Sequence, residues 1–203
     1  GADKLAAAVR AFDFDLRGKT VLDIGSSTGG FTEIALERGA VKVIAIEKDR
    51  KTANKLRQNL KDREISNVEI LEGDFRKIPL PNKPYKVFAN PPFSLSAETF
   101  YKLLDLKNVD GKIIESVHNS KQRPEAIYLI LQKQFALKLI ITERHYTSQL
   151  GKILSKYYAT KIRLPLRPTD FTPPPKVPTV LFEAKIISSD LHQGSVQHNC
   201  NPS

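Results

Sequence analysis

The stretch of sequence that decides the fold is residues 20–30, which read TVLDIGSSTGG. Its first half is an apolar run that predicts a buried strand, and its second half is a glycine-rich turn that leads into a helical stretch ending near Gly39. A strand, a glycine-rich turn and a helix are the opening unit of a nucleotide-binding α/β fold. The glycines let the backbone approach a ligand closely, and the start of the helix offers free N–H groups.

The turn also limits the chemistry of that ligand. It is not the dinucleotide-binding pattern G-x-G-x-x-G, because Ser27 stands in place of the second glycine, and no G-K-[ST] follows that would make a phosphate-binding P-loop. Asp23, at the end of the strand, would repel a pyrophosphate and attract a cation. We therefore expect an adenosine ligand with a positively charged or zwitterionic tail.

Acidic residues follow the next two predicted strands as well. The strand at residues 41–47 ends in Glu47, about 20 residues after the glycine-rich turn, which is the spacing at which a carboxylate binds ribose hydroxyls. The strand at 68–73 is followed by Asp74 and Phe75, an acceptor and an apolar ring that suit the edge and face of an adenine. One acid after a strand is usually a helix cap or a loop residue, but three after successive strands indicate a binding site.

A fourth strand, YKVFA at residues 85–89, is followed by Asn90-Pro91-Pro92-Phe93. The two prolines remove backbone donors and stiffen the turn, which leaves carbonyl acceptors held still. With the side-chain carbonyl of Asn90 and the flat ring of Phe93, the turn suits a planar base that carries an exocyclic NH2. Taken alone, these four residues also fit a plain proline-rich loop.

Together, these motifs resemble those of class I S-adenosylmethionine-dependent methyltransferases. Three later stretches narrow the resemblance to the rRNA adenine N6-methyltransferase and dimethyltransferase family: IYLILQK at 127–133, GKILSKYY at 151–158 and FTPPPKV at 171–177. That family includes the small-subunit dimethylases of the kasugamycin-resistance type and the large-subunit macrolide-resistance methylases. The resemblance covers roughly residues 4–186, nearly the whole chain.

The resemblance implies a reaction and a set of site residues. The reaction is methyl transfer from S-adenosylmethionine, with S-adenosylhomocysteine as product, to the N6 of an adenosine in ribosomal RNA that is unpaired or flipped out of its helix. The implied catalytic residues are Asn90, Pro91 and Phe93, and the implied substrate-binding residues are Pro92, Phe93, Phe171 and Lys176. The implied cofactor-binding residues are Asp23, Gly25, Ser26, Ser27, Glu47, Lys48, Asp74, Phe75 and Asn90.

The front of the chain leaves other functions open. Residues 1–5 and 26–32 resemble the hemolysin-type rRNA 2′-O-methyltransferases, which use a Lys-Asp-Lys-Glu set. That interpretation predicts a lysine such as Lys4 near the target ribose. Asn90 stands where we expect the aspartate of that set, so the catalytic loop favours the amino-methyltransferase. A DNA adenine methylase, which would usually carry a target-recognition domain, and a non-catalytic RNA-binding assembly factor are the remaining alternatives.

Composition agrees with a nucleic-acid partner. The chain has 203 residues, and 32 Lys and Arg against 22 Asp and Glu give a net charge of +10, which attracts polyanions such as rRNA or a pre-ribosomal particle. The single cysteine, Cys200, and the four histidines show no metal-ligand spacing, so we expect no metal. No apolar run has membrane-spanning length and no signal peptide is visible, so we expect no membrane partner. We also expect a cytoplasmic location and a monomer.

The expected fold class is α/β, with a Rossmann-like, seven-stranded class I methyltransferase sheet. The resemblance implies a mostly parallel sheet with an antiparallel last strand between the fifth and sixth, and helices on both faces. We expect one methyltransferase domain at 1–187 and a polar tail at 188–203, without the separate C-terminal helical domain that the family usually carries.

The stretch at 105–123 is longer than we expect for the connection between the fourth helix and the fifth strand. It is predicted to hold a short strand near 112–117 at the N-terminal edge of the sheet, with a structural or partner-binding role. Helices are predicted near 2–12, 30–38, 49–62, 95–106, 133–142 and 147–158, and strands near 20–25, 41–47, 68–73, 85–90, 126–132, 161–165 and 177–187.

Overall fold

The computed structural model describes residues 2–116 and 123–187. Its helices are α1 (Ala2–Arg10), α2 (Gly30–Glu37), α3 (Arg50–Asp62), α4 (Ser96–Leu103), α5 (Lys133–Leu137) and α6 (Gln149–Tyr157). Its strands are β1 (Thr20–Ile24), β2 (Lys42–Glu47), β3 (Val68–Glu72), β4 (Tyr85–Ala89), β5 (Leu106–Val109), β6 (Lys112–Glu115), β7 (Ala126–Gln132), β8 (Tyr158–Leu166) and β9 (Thr179–Ile186). Short 3-10 turns at Phe93–Leu95 and Pro168–Asp170 precede α4 and β9.

Seven of these strands form one sheet, in the order β3-β2-β1-β4-β7-β9-β8. β1 pairs in parallel with β2 and β4, β2 pairs in parallel with β3, and β4 pairs in parallel with β7. The last strand, β9, lies between β7 and β8 and is antiparallel to both. The predicted mostly parallel sheet, with its antiparallel last strand between the fifth and sixth, is confirmed.

Both faces of the sheet are buried, as its nearly continuous apolar strands require. In β7, Ile127 and Leu129 pack into one core with α4, α5 and α6, whereas Tyr128 and Ile130 pack into another with α1 and α2. A smaller cluster places α3 against β2. The helices therefore cover both faces, as predicted.

The chain leaves the helical conformation earlier than predicted around α5 and α6. α5 ends at Leu137, although the apolar pattern predicts a helix near 133–142, and β8 begins at Tyr158 rather than near residue 161. The side chain of Tyr158 is buried, its hydroxyl donates to the carbonyl of Pro124 at 2.6 Å, and its backbone pairs with Ile186. Pairing with a distant strand therefore outweighs the local helical pattern.

The stretch at 105–123 forms a hairpin rather than the single short strand that was predicted. β5 and β6 pair with each other in a separate two-stranded antiparallel sheet. Gln149, at the start of α6, exchanges two hydrogen bonds with the backbone of Ile113, and Glu115 accepts from Lys156 at 2.6 Å and from the hydroxyl of Tyr157. The hairpin is thus held along α6. Residues 117–122, which the prediction included, lie outside the described residues, as does the tail at 188–203.

Gly151 lies where α6 passes closest to the segment before it. A Cβ atom at this position would stand 2.5 Å from the carbonyl oxygen of Lys138, 2.9 Å from Thr147 Cγ2 and 3.0 Å from Leu139 Cα. We expect Gly151→Ala to lower the free energy of unfolding by about 1–3 kcal/mol, because overpacking against backbone outweighs the better helix propensity of alanine. Urea denaturation measures the change.

The neighbouring position provides the control for this substitution. Lys152 is exposed, so Lys152→Ala should change the free energy of unfolding by less than about 0.5 kcal/mol. If Gly151→Ala proved as stable as the unsubstituted protein, the close approach of α6 to Lys138 would be disproved.

Candidate active site

Backbone hydrogen bonds join the turns that follow the first three strands. The N–H groups of Gly25 and Ser26, after β1, donate to the carbonyl of Ile46 in β2 at 2.8 and 3.0 Å. The N–H of Gly73, after β3, donates to the carbonyl of Glu47 at 2.9 Å. The three turns therefore form a continuous wall at the carboxyl edge of the sheet, where parallel α/β sheets bind their ligands.

Gly25 brings the first turn against the tetrapeptide that follows β4. Its φ is +74°, a conformation that favours glycine. A Cβ atom at Gly25 would stand 3.6 Å from Pro92 Cδ and 3.7 Å from the carbonyl oxygen of Asn90. The glycine-rich turn and the tetrapeptide, which are far apart in the sequence, therefore lie side by side, so that a methyl group added at Gly25 would be in van der Waals contact with the tetrapeptide.

A cavity of about 470 Å³ opens between these turns, and a second cavity of about 200 Å³ adjoins it. The segment 171–175, here called the strap, contributes to the walls of both, and the cavities share Gly25, Asn90, Phe171 and Pro173. The larger cavity is also lined by Ile24, Ile46, Glu47, Lys48, Gly73, Asp74, Phe75, Pro91, Pro92, Phe93, Leu95, Pro174 and Pro175. The smaller is also lined by Leu5, Ser26, Ser27, Gly30, Phe31 and Thr172.

All but two of the predicted site residues line one of these cavities. The exceptions are Asp23, which is buried and in neither wall, and Lys176, which is exposed just after the strap. Leu5 of α1 and Leu95 after the tetrapeptide line the cavities but were not predicted, since apolar residues in amphipathic segments carry no motif. Packing of α1 brings Leu5 to the site, whereas Leu95 reaches it because it lies just after the tetrapeptide.

Glu47 is fixed by the backbone of both neighbouring turns. One carboxylate oxygen accepts the N–H of Ser27 at 2.9 Å, and the other accepts the N–H of Asp49 at 2.8 Å. Each oxygen keeps a further lone pair. The carboxylate is therefore held still in the wall of the larger cavity while it can still accept a hydroxyl group.

The tetrapeptide after β4 presents two unused acceptors. The carbonyl of Pro92 accepts the N–H of Leu95 at 2.9 Å, and the carbonyl of Phe93 accepts the hydroxyl of Ser96 at 2.9 Å. Within residues 2–116 and 123–187, neither the Asn90 side chain nor the carbonyl of Pro91 has a hydrogen-bond partner. Both residues line the larger cavity, so these acceptors are available to a ligand.

Asp74 is held by its own turn. Its carboxylate accepts the backbone N–H of Arg76 at 3.0 Å and the Nη2 of the same residue at 2.6 Å. The hydrogen bonds from Arg76 hold the pKa of Asp74 well below its usual range, so this carboxylate is ionised at any physiological pH. Phe75 beside it is almost fully buried, and the Nζ of Lys102 lies 5.2 Å from its ring centroid.

Asp23 is in a different electrostatic state. Its Oδ2 accepts the hydroxyl of Thr32 at 2.7 Å, but its Oδ1 is buried without a partner among the described residues. Burial raises the pKa of Asp23 to about 7, with the charge of Glu47 adding to the rise and the Thr32 hydrogen bond opposing it. The hydroxyl of Ser26 is likewise buried and unpartnered. Among the described residues, one oxygen of Asp23 and the hydroxyl of Ser26 thus lack a hydrogen-bond partner, and Ser26 lines the smaller cavity.

Two further features bear on possible ligands. Among residues 2–116 and 123–187, no group of three or more His, Cys, Asp or Glu side chains lies in an arrangement that could hold a metal ion. No helix in that part of the chain has the length and apolar character needed to cross a membrane.

The sheet order and the site at its carboxyl edge are those of a class I methyltransferase. The chain belongs to the ribosomal RNA adenine dimethylase family, whose model matches residues 5–198.

Individual proteins agree with this family. The chain is 34% identical over 167 residues to a probable ribosomal RNA small subunit methyltransferase A of Methanospirillum hungatei. This alignment covers 80% of the chain and 57% of that relative. The chain is 31% identical over 167 residues to a ribosomal RNA small subunit methyltransferase A of Synechococcus, with 80% and 53% covered. It therefore spans just over half the length of these curated relatives. The crystal structure of a dimethyladenosine transferase from Plasmodium falciparum superposes with a TM-score of 0.70 at 24% identity, over 93% of this chain and 62% of that one, and so shares the fold.

The raised pKa of Asp23 predicts a pH-dependent stability. The pKa of this carboxyl is 3.8 in the unfolded chain and about 7 in the folded protein, so between these pH values the folded protein holds a proton that the unfolded chain has lost. The free energy of unfolding therefore falls as the pH rises from about 4 to about 7, and it levels off once Asp23 is ionised in the folded protein as well. Asn at this position cannot ionise. We expect Asp23→Asn to gain stability relative to the unsubstituted protein between pH 4 and pH 7, by on the order of 1–4 kcal/mol.

Denaturation curves at pH 5 and pH 8 measure this gain. Asp62→Asn, at the exposed end of α3, is the control and should change the free energy of unfolding by less than about 0.5 kcal/mol. An Asp23→Asn difference that stayed the same at both pH values would show that Asp23 is ionised throughout.

Proposed function

We propose that this chain transfers a methyl group from S-adenosylmethionine to the N6 atom of an adenosine in ribosomal RNA. The observation that carries the proposal is the pair of unpartnered acceptors, the Asn90 side chain and the Pro91 carbonyl, in the wall of a cavity large enough for a base. An exocyclic NH2 has two N–H donors, which this pair of acceptors can bind together. Membership of the ribosomal RNA adenine dimethylase family supports the same reaction.

The residues of the two cavities fit S-adenosylmethionine. Glu47 would accept the ribose hydroxyls, and Asp74 and Phe75 would bind the edge and face of the adenine, with Lys48 beside them. The buried and unpartnered Asp23 Oδ1 and Ser26 hydroxyl suit the charged amino-acid tail, together with the backbone of Gly25 and Ser27. When bound, this cofactor supplies a methyl group activated by the positive charge on its sulfur.

The tetrapeptide would prepare the target base. The lone pair of adenine N6 is delocalised into the ring, and acceptors on both N–H groups favour its localisation on nitrogen. Asn90 and Pro91 would also stabilise the positive charge that grows on N6 during attack, and the proton can leave to water afterwards. These residues therefore act by position and electrostatics rather than as a strong base.

Aromatic rings would hold the base out of its helix. Phe93, half-buried at the end of the tetrapeptide, would stack on one face and Phe171 of the strap would close the other, while Pro92 lines the entrance. Stacking of this kind offsets part of the cost of unpairing. Lys176 is exposed and we assign it to a backbone phosphate.

The 2′-O-methyltransferase alternative is less well supported. It needs a lysine near the target ribose, and among the described residues Lys48 alone of the lysines lines either cavity, next to Glu47 rather than the tetrapeptide. The side chain of Lys4, named for that role, lies outside the described residues. We further propose rRNA or a pre-ribosomal particle as partner, a monomeric state and a cytoplasmic location.

The first test is methyl transfer with and without Asn90. Tritium is followed from labelled S-adenosylmethionine to unmodified 16S and 23S rRNA, with nucleoside analysis of the product. We expect N6-methylated adenosine, and a rate lower by on the order of 100-fold or more for Asn90→Ala, because one transition-state hydrogen bond is lost. Asn82→Ala, at an exposed position before β4, is the matched control.

The same experiment separates the alternatives. Label in a 2′-O-methylated nucleoside, unaffected by Asn90→Ala, would assign the chain to the hemolysin-type enzymes. No label on either RNA while S-adenosylhomocysteine still binds would leave the assembly-factor function. Label in N6-methyl- or N6,N6-dimethyladenosine would also identify the subunit and the number of methyl groups added.

A second test addresses the cofactor. In Glu47→Gln, an amide nitrogen replaces one carboxylate oxygen and cannot accept a hydrogen bond. Either the N–H of Ser27 or the N–H of Asp49 therefore loses its acceptor, and the ribose hydroxyls lose a negatively charged acceptor. We expect the Kd for S-adenosylhomocysteine, measured by calorimetry, to rise about 10-fold or more.

Glu72→Gln is the control for this second test. Glu72 pairs with Glu47 in the sheet but is exposed and bonded to Arg57 at 3.2 Å, so its substitution should change the Kd by less than about twofold. Equal effects of the two substitutions would argue against Glu47 as the ribose ligand.

A further inference from the structure

The segment 141–146, here called the α5–α6 loop, exposes an aromatic ring and two basic side chains together. Tyr146 is 74% exposed and Ile141 is 61% exposed, which is high for large apolar side chains. Arg144 and His145 are exposed beside them. None of these residues has a role in the methyl-transfer site described above.

The loop is closed at its base. The hydroxyl of Thr147 donates to the carbonyl of Ile140 at 3.0 Å, and the N–H and hydroxyl of Ser148 both donate to the carbonyl of Lys138 at 2.9 Å. The close packing of Gly151 on Lys138 fixes the same point. The loop that exposes the Tyr146 ring is therefore anchored at both ends. Binding of a partner to the ring then costs less backbone entropy than it would on a freely moving loop.

The loop is connected to the side of the molecule that carries the target-base cavity. α5 begins directly after β7, which lies beside β4, and the N–H of Lys133 donates to the carbonyl of Pro178 just beyond the strap at 2.8 Å. Phe135 of α5 lies 6.2 Å, between ring centroids, from Phe100 of α4, the helix that follows the tetrapeptide. α5, which leads to the loop, is therefore in contact both with the segment that follows the strap and with the helix that follows the tetrapeptide.

Charge indicates what kind of polymer this surface fits. Residues 133–152 contain four lysines and arginines against one acid, Glu143. All four cations are exposed, and none forms an ion pair within the described part of the chain; they are Lys133, Lys138, Arg144 and Lys152. Cations bind backbone phosphates, and an exposed aromatic ring offers a stacking platform to an unpaired base. A paired duplex hides its base faces and would leave the tyrosine unused.

We propose that the α5–α6 loop, with Lys138 and Lys152, is a docking surface for an unpaired stretch of RNA that flanks the target adenosine. Tyr146 stacks on one base, and Arg144 and the lysines bind phosphates. The assignment to RNA rests on the proposed function, and it adds a second contact region outside the cavities. It gives the enzyme a means of selecting an adenosine by the unpaired strand around it.

The test is RNA binding, which needs no catalysis. A short fluorescein-labelled single-stranded RNA and a duplex containing it are titrated with the full chain at several salt concentrations. Tyr146→Ala should weaken single-strand binding roughly 5- to 100-fold and leave the salt dependence unchanged, whereas Tyr146→Phe, which keeps the ring, should restore affinity. Arg144→Ala should make the slope of log K against log salt shallower by about 0.7, the value for one phosphate contact on a single strand.

Controls and failures are distinguishable. Val41→Ala and Lys61→Ala alter an exposed apolar residue and an exposed cation beside β2 and at the end of α3, and should have no effect on RNA binding. All variants should bind S-adenosylhomocysteine as the unsubstituted protein does. Unchanged single-strand affinity in Tyr146→Ala and Arg144→Ala would overturn the proposal, as would an equal loss on the duplex. If RNA carries no N6-methyl label but the loop variants still lose single-strand affinity, the docking surface stands and the proposed reaction fails.

Discussion

The parallel pairing of β1 with β4 is the constraint on which the site depends, because whatever follows two adjacent parallel strands must meet at one edge of the sheet. Gly25 satisfies that constraint by turning at φ +74° with no side chain between the glycine-rich turn and Pro92. The remaining contacts build on this junction. The carbonyl of Ile46 accepts two N–H groups of the first turn, and Glu47 accepts a third from Ser27. The turns after β1, β2 and β3 and the tetrapeptide after β4 are therefore parts of a single edge of the sheet that lines the larger cavity.

The antiparallel last strand explains why a motif near the end of the chain reaches this edge. β8 ends at the carboxyl edge and β9 must begin there, since it runs the opposite way. The strap that joins them consequently lies at the mouth of the cavities. The position where the strap begins is fixed by the preceding residue, Asp170. Its buried carboxylate accepts the backbone N–H of Arg167 at 2.8 Å and the Nη2 of the same residue at 3.1 Å. Topology thus brings Phe171 to the tetrapeptide without any local sequence relation between them.

The sequence predicted the sheet well because each parallel strand is a short, mainly apolar run that is followed by a recognisable turn. Most of the residues that the sequence named for the site line the cavities for the same reason, since Glu47, Asp74 and Asn90 mark strand ends. Features that depend on distant pairing were not predicted. The sequence pattern around Tyr158 is helical, but the residue starts a strand because its backbone pairs with β9 and its hydroxyl donates to the carbonyl of Pro124. The hairpin of β5 and β6 lacked a clear signal, and Leu5 reached the cavity through packing alone.

The three strand-end acids look alike in the sequence but differ in electrostatics. Arg76 keeps Asp74 ionised, two backbone N–H groups hold Glu47, and burial brings the pKa of Asp23 to about 7. A ligand that places a positive charge beside Asp23 would stabilise its ionised form, so binding near neutral pH must release a proton from a fraction of the molecules. In the proposed function, these acids would attract the cationic tail of the cofactor locally, whereas the net charge of +10 would attract a polyanion at longer range. The proposed cofactor and the proposed RNA would thus be attracted by different parts of one domain, because Glu47 and Asp74 line the larger cavity and Asp23 is buried, whereas Lys and Arg outnumber the acids over the chain as a whole.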